Sequence, residues 1–596
     1  MEKRILYILF LLVIATSSAL SQNQEVLADN YYKRGEYQKA LIIYKSIFSE
    51  KPYNFNYLYK IIDTHQQLEQ FEEAKQVINS WLNKVRTPMV IIELGYNYQL
   101  QDSLDLAKSY YNEVIAYVDE KPNYIYSIAR KFEEHSLLNE AIEVYNKGKL
   151  LAPDKNFNLQ LARIYGDQGN IEKMFDNYLG YISYKPNFLN NAKRSMADFI
   201  SEDNTAETNK ILRTLLLKKI QAQPDTYWYD LLSWLYVQER SYDKSFVQEK
   251  ALYRRNPESL DRIIELALTA INDNENEVAT SILNYITETT QDLSTFLIAK
   301  QYLLDIETKA SKPKNYDAID KSYNALFDTY GITELTLELQ IAYANFLAFY
   351  LNDTEKANQF LKQSLNLDVN AYQKAKVKLK LADILVLQEK FNEALIFYSQ
   401  IQTSLKNSTI SQEARFKVAK TSYYKGDFDW AETQLKILKS STSQLIANDA
   451  LELKLLISDN KYEDSTQTAL RYYAKADLLA FQNKNVEAIK LLDKILEDHK
   501  GESIEDQALF KQAKLYESQQ LYAEAEANYK YIIDNYRDDI LADDAYFYLA
   551  ELYANTLNRP EEAKPLYEKI IFDYQDSIYF IDARKKFRML RGDNIN

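Results

Sequence analysis

The sequence predicts an all-α protein built as a stack of helix hairpins. Three observations carry that expectation: Gly and Pro are too rare for a turn-rich fold, a small residue returns about every 34 positions, and prolines return at a similar beat. The 596 residues include 10 Gly and 10 Pro, where an ordinary chain of that length carries about 40 and 30. Sandwiches, barrels and βαβ folds need many such turns. Long helices with short connections remain, and so long a chain needs several cores or a repeat.

The first element is an expected export signal over residues 1–21. Glu2-Lys3-Arg4 makes a basic start, Ile5 to Ala15 is an unbroken apolar run, and Ala19-Leu20-Ser21 places small residues where a signal peptidase cuts. Cleavage is expected after Ser21. As a helix that run spans about 16 Å, too short for a hydrocarbon core of about 30 Å. No later segment approaches that length, so no transmembrane span is expected in the mature chain. Cysteine is absent, which removes disulfides, thiolate sites and the attachment point of a lipoprotein. The formal charge of −14 argues against nucleic acid as a partner.

From residue 22 the repeat takes over. Ala40, Ala74, Ala107 and Ala141 are spaced 34, 33 and 34, and Met174 follows after 33. Twelve residues before most of these stands a small residue after an apolar one, as in Leu27-Ala28, Leu94-Gly95, Ile128-Ala129 and Leu161-Ala162. An aromatic comes three residues later: Tyr31, Tyr98, Phe132, Tyr165. The pattern describes two antiparallel helices, with the small residues where their backbones approach closest. Pro52, Pro88, Pro122, Pro153, Pro186, Pro224 and Pro257 stop one helix and open the next.

These motifs resemble the tetratricopeptide repeat (TPR), a helix hairpin of 34 residues. The match continues through Leu232-Ser233 with Ser245, Leu266-Ala267 with Ala279, Leu381-Ala382 with Ala394, Val418-Ala419 with Ala431, and on to Leu549-Ala550 with Ala563. The resemblance implies a right-handed superhelical solenoid of about fourteen hairpins. Breaks in the beat divide it into an N-terminal array over 22–295, a central array over 296–440 with an insertion near 305–333, an irregular extra helix within 441–466, C-terminal units over 467–577, and a capping helix and tail over 578–596. The C-terminal units, with Asp534-Asn535-Tyr536 and Asp573-Tyr574-Gln575, are similar to periplasmic TPR proteins of outer-membrane assembly and of the Tol system. Those carry Pro after the Tyr, where this chain has Arg537 and Gln575. The whole arrangement resembles envelope TPR proteins of the Bacteroidetes.

No catalytic constellation is legible. His65, His135 and His499 fall in different repeats, and no phosphate loop, nucleophile elbow or metal-ligand spacing occurs, so no enzyme, cofactor or metal is expected. The resemblance implies instead a groove on the first helices of the hairpins. By register it would present Tyr59, Asp63, Gln66, Tyr96, Gln99, Tyr126, Arg130, Glu133 and Arg163, then Tyr227, Asp230 and Trp234. The reading is an exported, non-enzymatic scaffold that binds envelope proteins, in the periplasm or at the periplasmic face of the outer membrane, in peripheral association with an outer-membrane complex. The alternative is a glycan- or peptidoglycan-binding module, motivated by the Tyr, Trp and Asn of the groove and similar in outline to starch-uptake surface proteins. Those carry a lipid-attachment Cys and Gly-rich loops, and this chain has neither.

Overall fold

The computed structural model describes residues 24–439, 443–462 and 466–592; the expected signal over 1–21 and the end of the expected tail over 578–596 lie outside them. Among the described residues there are helices, short 3-10 turns and no strand. The described residues form an all-α array of fifteen helix hairpins, with a single helix Gln444–Asn460 between two of them and a last helix Phe580–Arg591. The segment near 305–333 is itself helical, with Leu293–Ala310 and Tyr316–Tyr330 joined through a turn at Pro313–Asn315. The chain divides into two compact units, one running to Ile200 and including Glu207–Leu231, the other made of Ser201–Ala206 and the residues from Leu232 onward.

Thirteen of the hairpins close on the same turn, and it is not written in glycine alone. A residue with positive φ stands five positions before each small residue of the second helix: Gly35, Glu69, Asp102, Ser136, Gly169, and later Arg240, Asn274, Asn352, Glu389, Gly426, Asn483, Gln520 and Asn558. The next N–H reaches back five residues to the carbonyl of the first helix, as in Gln70 to His65 (2.9 Å), Ser103 to Tyr98 (3.0 Å) and Leu137 to Phe132 (2.9 Å). This is the Schellman closure, which satisfies carbonyls left open at a helix end. A side chain in the left-handed region costs about 1–2 kcal/mol, and glycine's extra chain entropy offsets part of that gain. Ser136→Gly is therefore expected to stabilise the protein by about 0.5–1 kcal/mol, read as a higher denaturation midpoint. A lower midpoint would mean that the Ser136 side chain holds the turn.

The small residues do what their spacing suggests. Ala28, Ala40, Ala74, Ala129, Ala141 and Ala162 are fully buried. Gly95 occupies one of these close approaches. A Cβ there would lie 2.5 Å from Tyr111 Cε1 and 3.2 Å from the Ala107 carbonyl oxygen. Gly95→Leu is expected to destabilise by roughly 1–3 kcal/mol, as overpacking does. An unchanged melting temperature would show that the two backbones can separate freely.

The abundance of Tyr has a structural reason. The position four after the small residue of the second helix holds Tyr44, Tyr111, Tyr145, Tyr398, Tyr529 and Tyr567, all at most 3 % exposed. Their hydroxyls donate into the first helix of the same hairpin: Tyr44 to Asp29 (2.6 Å), Tyr145 to Glu133 (2.7 Å), Tyr398 to Asp383 (2.6 Å), Tyr567 to Glu551. In three cases the same carboxylate also accepts from a Lys of the next element: Lys60 to Asp29 (2.6 Å) and Lys417 to Asp383 (2.9 Å) from the following hairpin, and Lys586 to Glu551 (2.6 Å) from the last helix. A Tyr–carboxylate–Lys link thus ties the two helices of one repeat together and joins that repeat to the next. Such a partner removes the desolvation penalty that an unmet buried hydroxyl carries.

One buried carboxylate has no such cation bonded to it. Asp506 is 4 % exposed and accepts a hydrogen bond from the Gln507 N–H at 2.6 Å. Burial pushes its carboxyl up to about 6, with Asp539 and Glu505 adding like charge. Because that value lies above the unfolded value of about 3.9, the folded state binds the proton more readily. The ionised group therefore costs stability at neutral pH, and the cost disappears as pH falls from about 6 to about 4. Asp506→Asn is expected to gain about 1–3 kcal/mol at pH 7 and nothing at pH 4. A gain that does not vary with pH would contradict this.

Candidate protein-docking groove

The first helices of the second, third and fourth hairpins are Phe55–Gln67, Pro88–Gln99 and Ile125–Glu134. Each start is fixed locally. Asn54 caps the first by accepting the Asn56 N–H at 3.0 Å, Pro88 opens the second, and the turn Pro122–Tyr124 leads into the third. A groove of about 520 Å³ lies across these helices, lined by Phe55, Tyr59, Met89, Tyr126, Arg130 and Lys131, with Asn56, Lys60, Ser127 and Glu134 at its borders. Phe55 is 37 % exposed and Tyr126 49 %, large apolar area left open to solvent. The Phe55 ring leans edge-on against Trp81 at 4.9 Å, so it is held rather than free to collapse.

Behind this lining sits a buried charge cluster. Glu93, 2 % exposed, is paired with Lys131, 8 % exposed, and its Oε1 also meets His135 Nε2 at 3.1 Å. Burial pushes the Glu93 carboxyl up, but the His135 hydrogen bond and Lys131 outweigh it and the net value falls below the usual carboxylate range. Burial likewise works against the Lys131 ammonium, and Glu93 overcomes it, leaving the lysine above its ordinary value. Lys131 Nζ also lies 4.1 Å from the centre of the Tyr59 ring, and Tyr96 stacks on His135 at 4.0 Å. The cluster fixes the aromatic wall from beneath.

Of the residues that the register picks out, Tyr59, Tyr126 and Arg130 come together at this groove. Arg130 is exposed, with Nε 3.8 Å from Glu134. Tyr96 is half-buried on His135, and Asp63 is half-buried beside Tyr32. Gln99 and Glu133 are the acceptors of Tyr111 (3.0 Å) and Tyr145 (2.7 Å) and so belong to the packing of their hairpins. Gln66 is 5 % exposed, in the last turn of its helix, where a docked segment would not reach it. Arg163 is exposed on the next first helix, Asn158–Asp167. Farther along, Asp230 accepts from Lys193 at 3.1 Å, the Tyr227 hydroxyl donates to Asp225 at 2.7 Å, and Trp234 is half-buried. The register misses Phe55, Met89 and Lys131. Phe55 and Met89 lie 34 residues apart in the first turns of successive first helices, a repeat spacing that a search of those turns would find.

Fold and groove define a class: a helical-hairpin repeat protein that presents a lined surface. The family model described as "Tetratricopeptide repeat" matches residues 507–539 and 544–577. These ranges cover the hairpin formed by Tyr522–Asn535 and most of Ile504–Ser518, and the hairpin that follows it. No curated protein matches. Among solved structures, the chain is similar to one from "Structure of Naa15/Naa10 bound to HypK-THB", at 13 % identity over 96 % of this chain and 97 % of that one, with a TM-score of 0.31. It is also similar to one from "Crystal structure of APC/C hetero-tetramer Cut9-Hcn1", at 11 % identity over 97 % and 98 %, with a TM-score of 0.26. Among the described residues, no helix is long and apolar enough to cross a membrane.

Proposed function

We propose that the protein is an exported, non-catalytic scaffold that docks protein partners of the bacterial envelope, in assembly or secretion. One observation carries the docking role: Phe55, Tyr59, Met89, Tyr126 and Arg130 converge from three successive first helices on one open groove. Aromatic residues and Arg are the side chains that concentrate binding energy at protein interfaces, where they are desolvated in a central pocket. Lys60 and Lys131 are held close by Glu25 with Asp29 and by Glu93, whereas Arg130 is exposed and meets Glu134 at 3.8 Å, so it is the cation most open to a partner. The fitting occupant is a protein segment with an apolar anchor beside an acidic residue. Export rests on the basic start, apolar run and small residues of 1–21.

Capture from detergent-solubilised envelopes tests this reading. The protein should retain stoichiometric protein partners, and Tyr126→Ala with Arg130→Ala should release them at unchanged melting temperature. Partners retained by the double variant would place docking elsewhere. No protein captured, together with retention on peptidoglycan or polysaccharide, would replace the scaffold with a glycan-binding module.

A further inference from the structure

The repeat rhythm is disturbed between Leu293 and Phe349, and there the second unit holds a cavity of about 270 Å³. Its walls come from the helices Leu293–Ala310, Tyr316–Tyr330 and Leu337–Phe349, with Lys380 reaching in from Ala371–Leu387. Three polar groups on its walls matter, one of them without a partner. The Thr308 side chain lines the cavity, is only 5 % exposed, and its hydroxyl has no hydrogen-bond partner. A helical threonine ordinarily bonds back to a carbonyl of the preceding turn, and a buried hydroxyl left unmet is costly. Asp305 stands one turn earlier on the same wall, bonded to the Gln301 amide at 2.7 Å. Burial pushes its carboxyl up. Lys380 donates to Asn345 Oδ1 at 2.9 Å and lies 4.0 Å from Asp383; burial pulls its ammonium down.

Asp305 and Lys380 thus both line the cavity, each bonded to a neutral amide, without forming an ion pair with each other. A neutral occupant would strip the remaining water from both charges and return none of it. An occupant of one sign would satisfy one and burden the other, since the lining charges of Asp305, Glu338, Lys309 and Lys380 cancel. A molecule with both signs matches. We propose that this cavity binds a small zwitterion carrying an ammonium and a carboxylate, a free amino acid in chemical class. The ammonium donates to the Asp305 carboxylate and the Thr308 hydroxyl oxygen. The carboxylate accepts from Lys380 and from the Asn345 amide nitrogen, and the hydrocarbon between them rests on Ile341, Ala342 and Tyr350, half-buried residues of the lining.

Titration calorimetry on the full chain tests this with glycine, 3-aminopropanoate and 4-aminobutyrate against butyrate and butylammonium. At least one zwitterion should bind, at least about tenfold tighter than either single-charge compound, because each charge-assisted hydrogen bond is worth that much or more. Asp305→Asn and Lys380→Met should each weaken it about tenfold, and Thr308→Val by less. No heat with any zwitterion up to about 10 mM, a range that reaches weak millimolar binding, would overturn the proposal. So would butyrate or butylammonium binding as tightly as the zwitterions. The comparison of ligands decides the matter on the unaltered protein even if a variant fails to fold.

Discussion

Lys131→Met is expected to cost about 3–5 kcal/mol, because removing one partner of a buried ion pair leaves the other charge without compensation. Glu93 is the group left behind, 2 % exposed, with His135 at 3.1 Å as its remaining close partner and its Oε2 already unbonded. The loss is local in a repeat array, so it should appear as faster amide exchange across Pro88–Gln99 and Ile125–Glu134. In the unaltered protein the Glu93 carboxyl lies below its ordinary value, so its contribution is present above about pH 4.5 and is lost as pH falls through the folded value. The variant's deficit should therefore shrink on acidification. Glu93→Gln in the same chain as Lys131→Met should recover most of the stability, since a buried pair replaced on both sides is close to neutral. A double variant as unstable as the single one would show that Lys131 acts through packing on Tyr59 instead.

Tyr398→Ala should cost a similar amount, about 3–5 kcal/mol, the range for truncating a large buried aromatic. Tyr398 is 1 % exposed and donates to Asp383, which also holds Lys417 of the following hairpin. Tyr398→Phe keeps the ring and removes only the donor to a charged acceptor, worth about 1.5–3 kcal/mol. The gap between the two variants separates packing from the hydrogen bond. If Tyr398→Phe were silent, the Tyr–carboxylate–Lys link would be a by-product of packing, not a tie between repeats.

The two architectural signals in the sequence differ in kind, and that explains what was legible. Ala40, Ala74 and Ala141 are small because helix backbones touch there, a constraint that a single residue records. The left-handed turn five residues earlier is occupied by Glu69, Asp102, Ser136 or Gln520 as readily as by Gly35. It is imposed by the closing hydrogen bonds and leaves only a weak signature, Gly, Asn or Asp at eight of the thirteen turns. The tyrosines sat between these cases. Their fixed distance of four from the small residue is visible in the chain, but the acceptors Asp29, Asp383 and Glu551 lie in the partner helix, 15 or 16 residues away. Register brings Tyr59, Tyr126 and Arg130 to one groove because all three face outward from first helices, Tyr126 from a first turn. It includes Gln66, which turns inward, and it omits Phe55 and Met89, which line the same groove from first turns.

Site-specific photocrosslinking at Tyr126 is the most direct measurement of the docking role. A benzoylphenylalanine placed there should capture a discrete protein in intact cells, while one at Leu150, 84 % exposed on the second helix of the same repeat, should not. Equal capture from both positions, or none from Tyr126, would contradict the groove as the surface where this protein holds its partners.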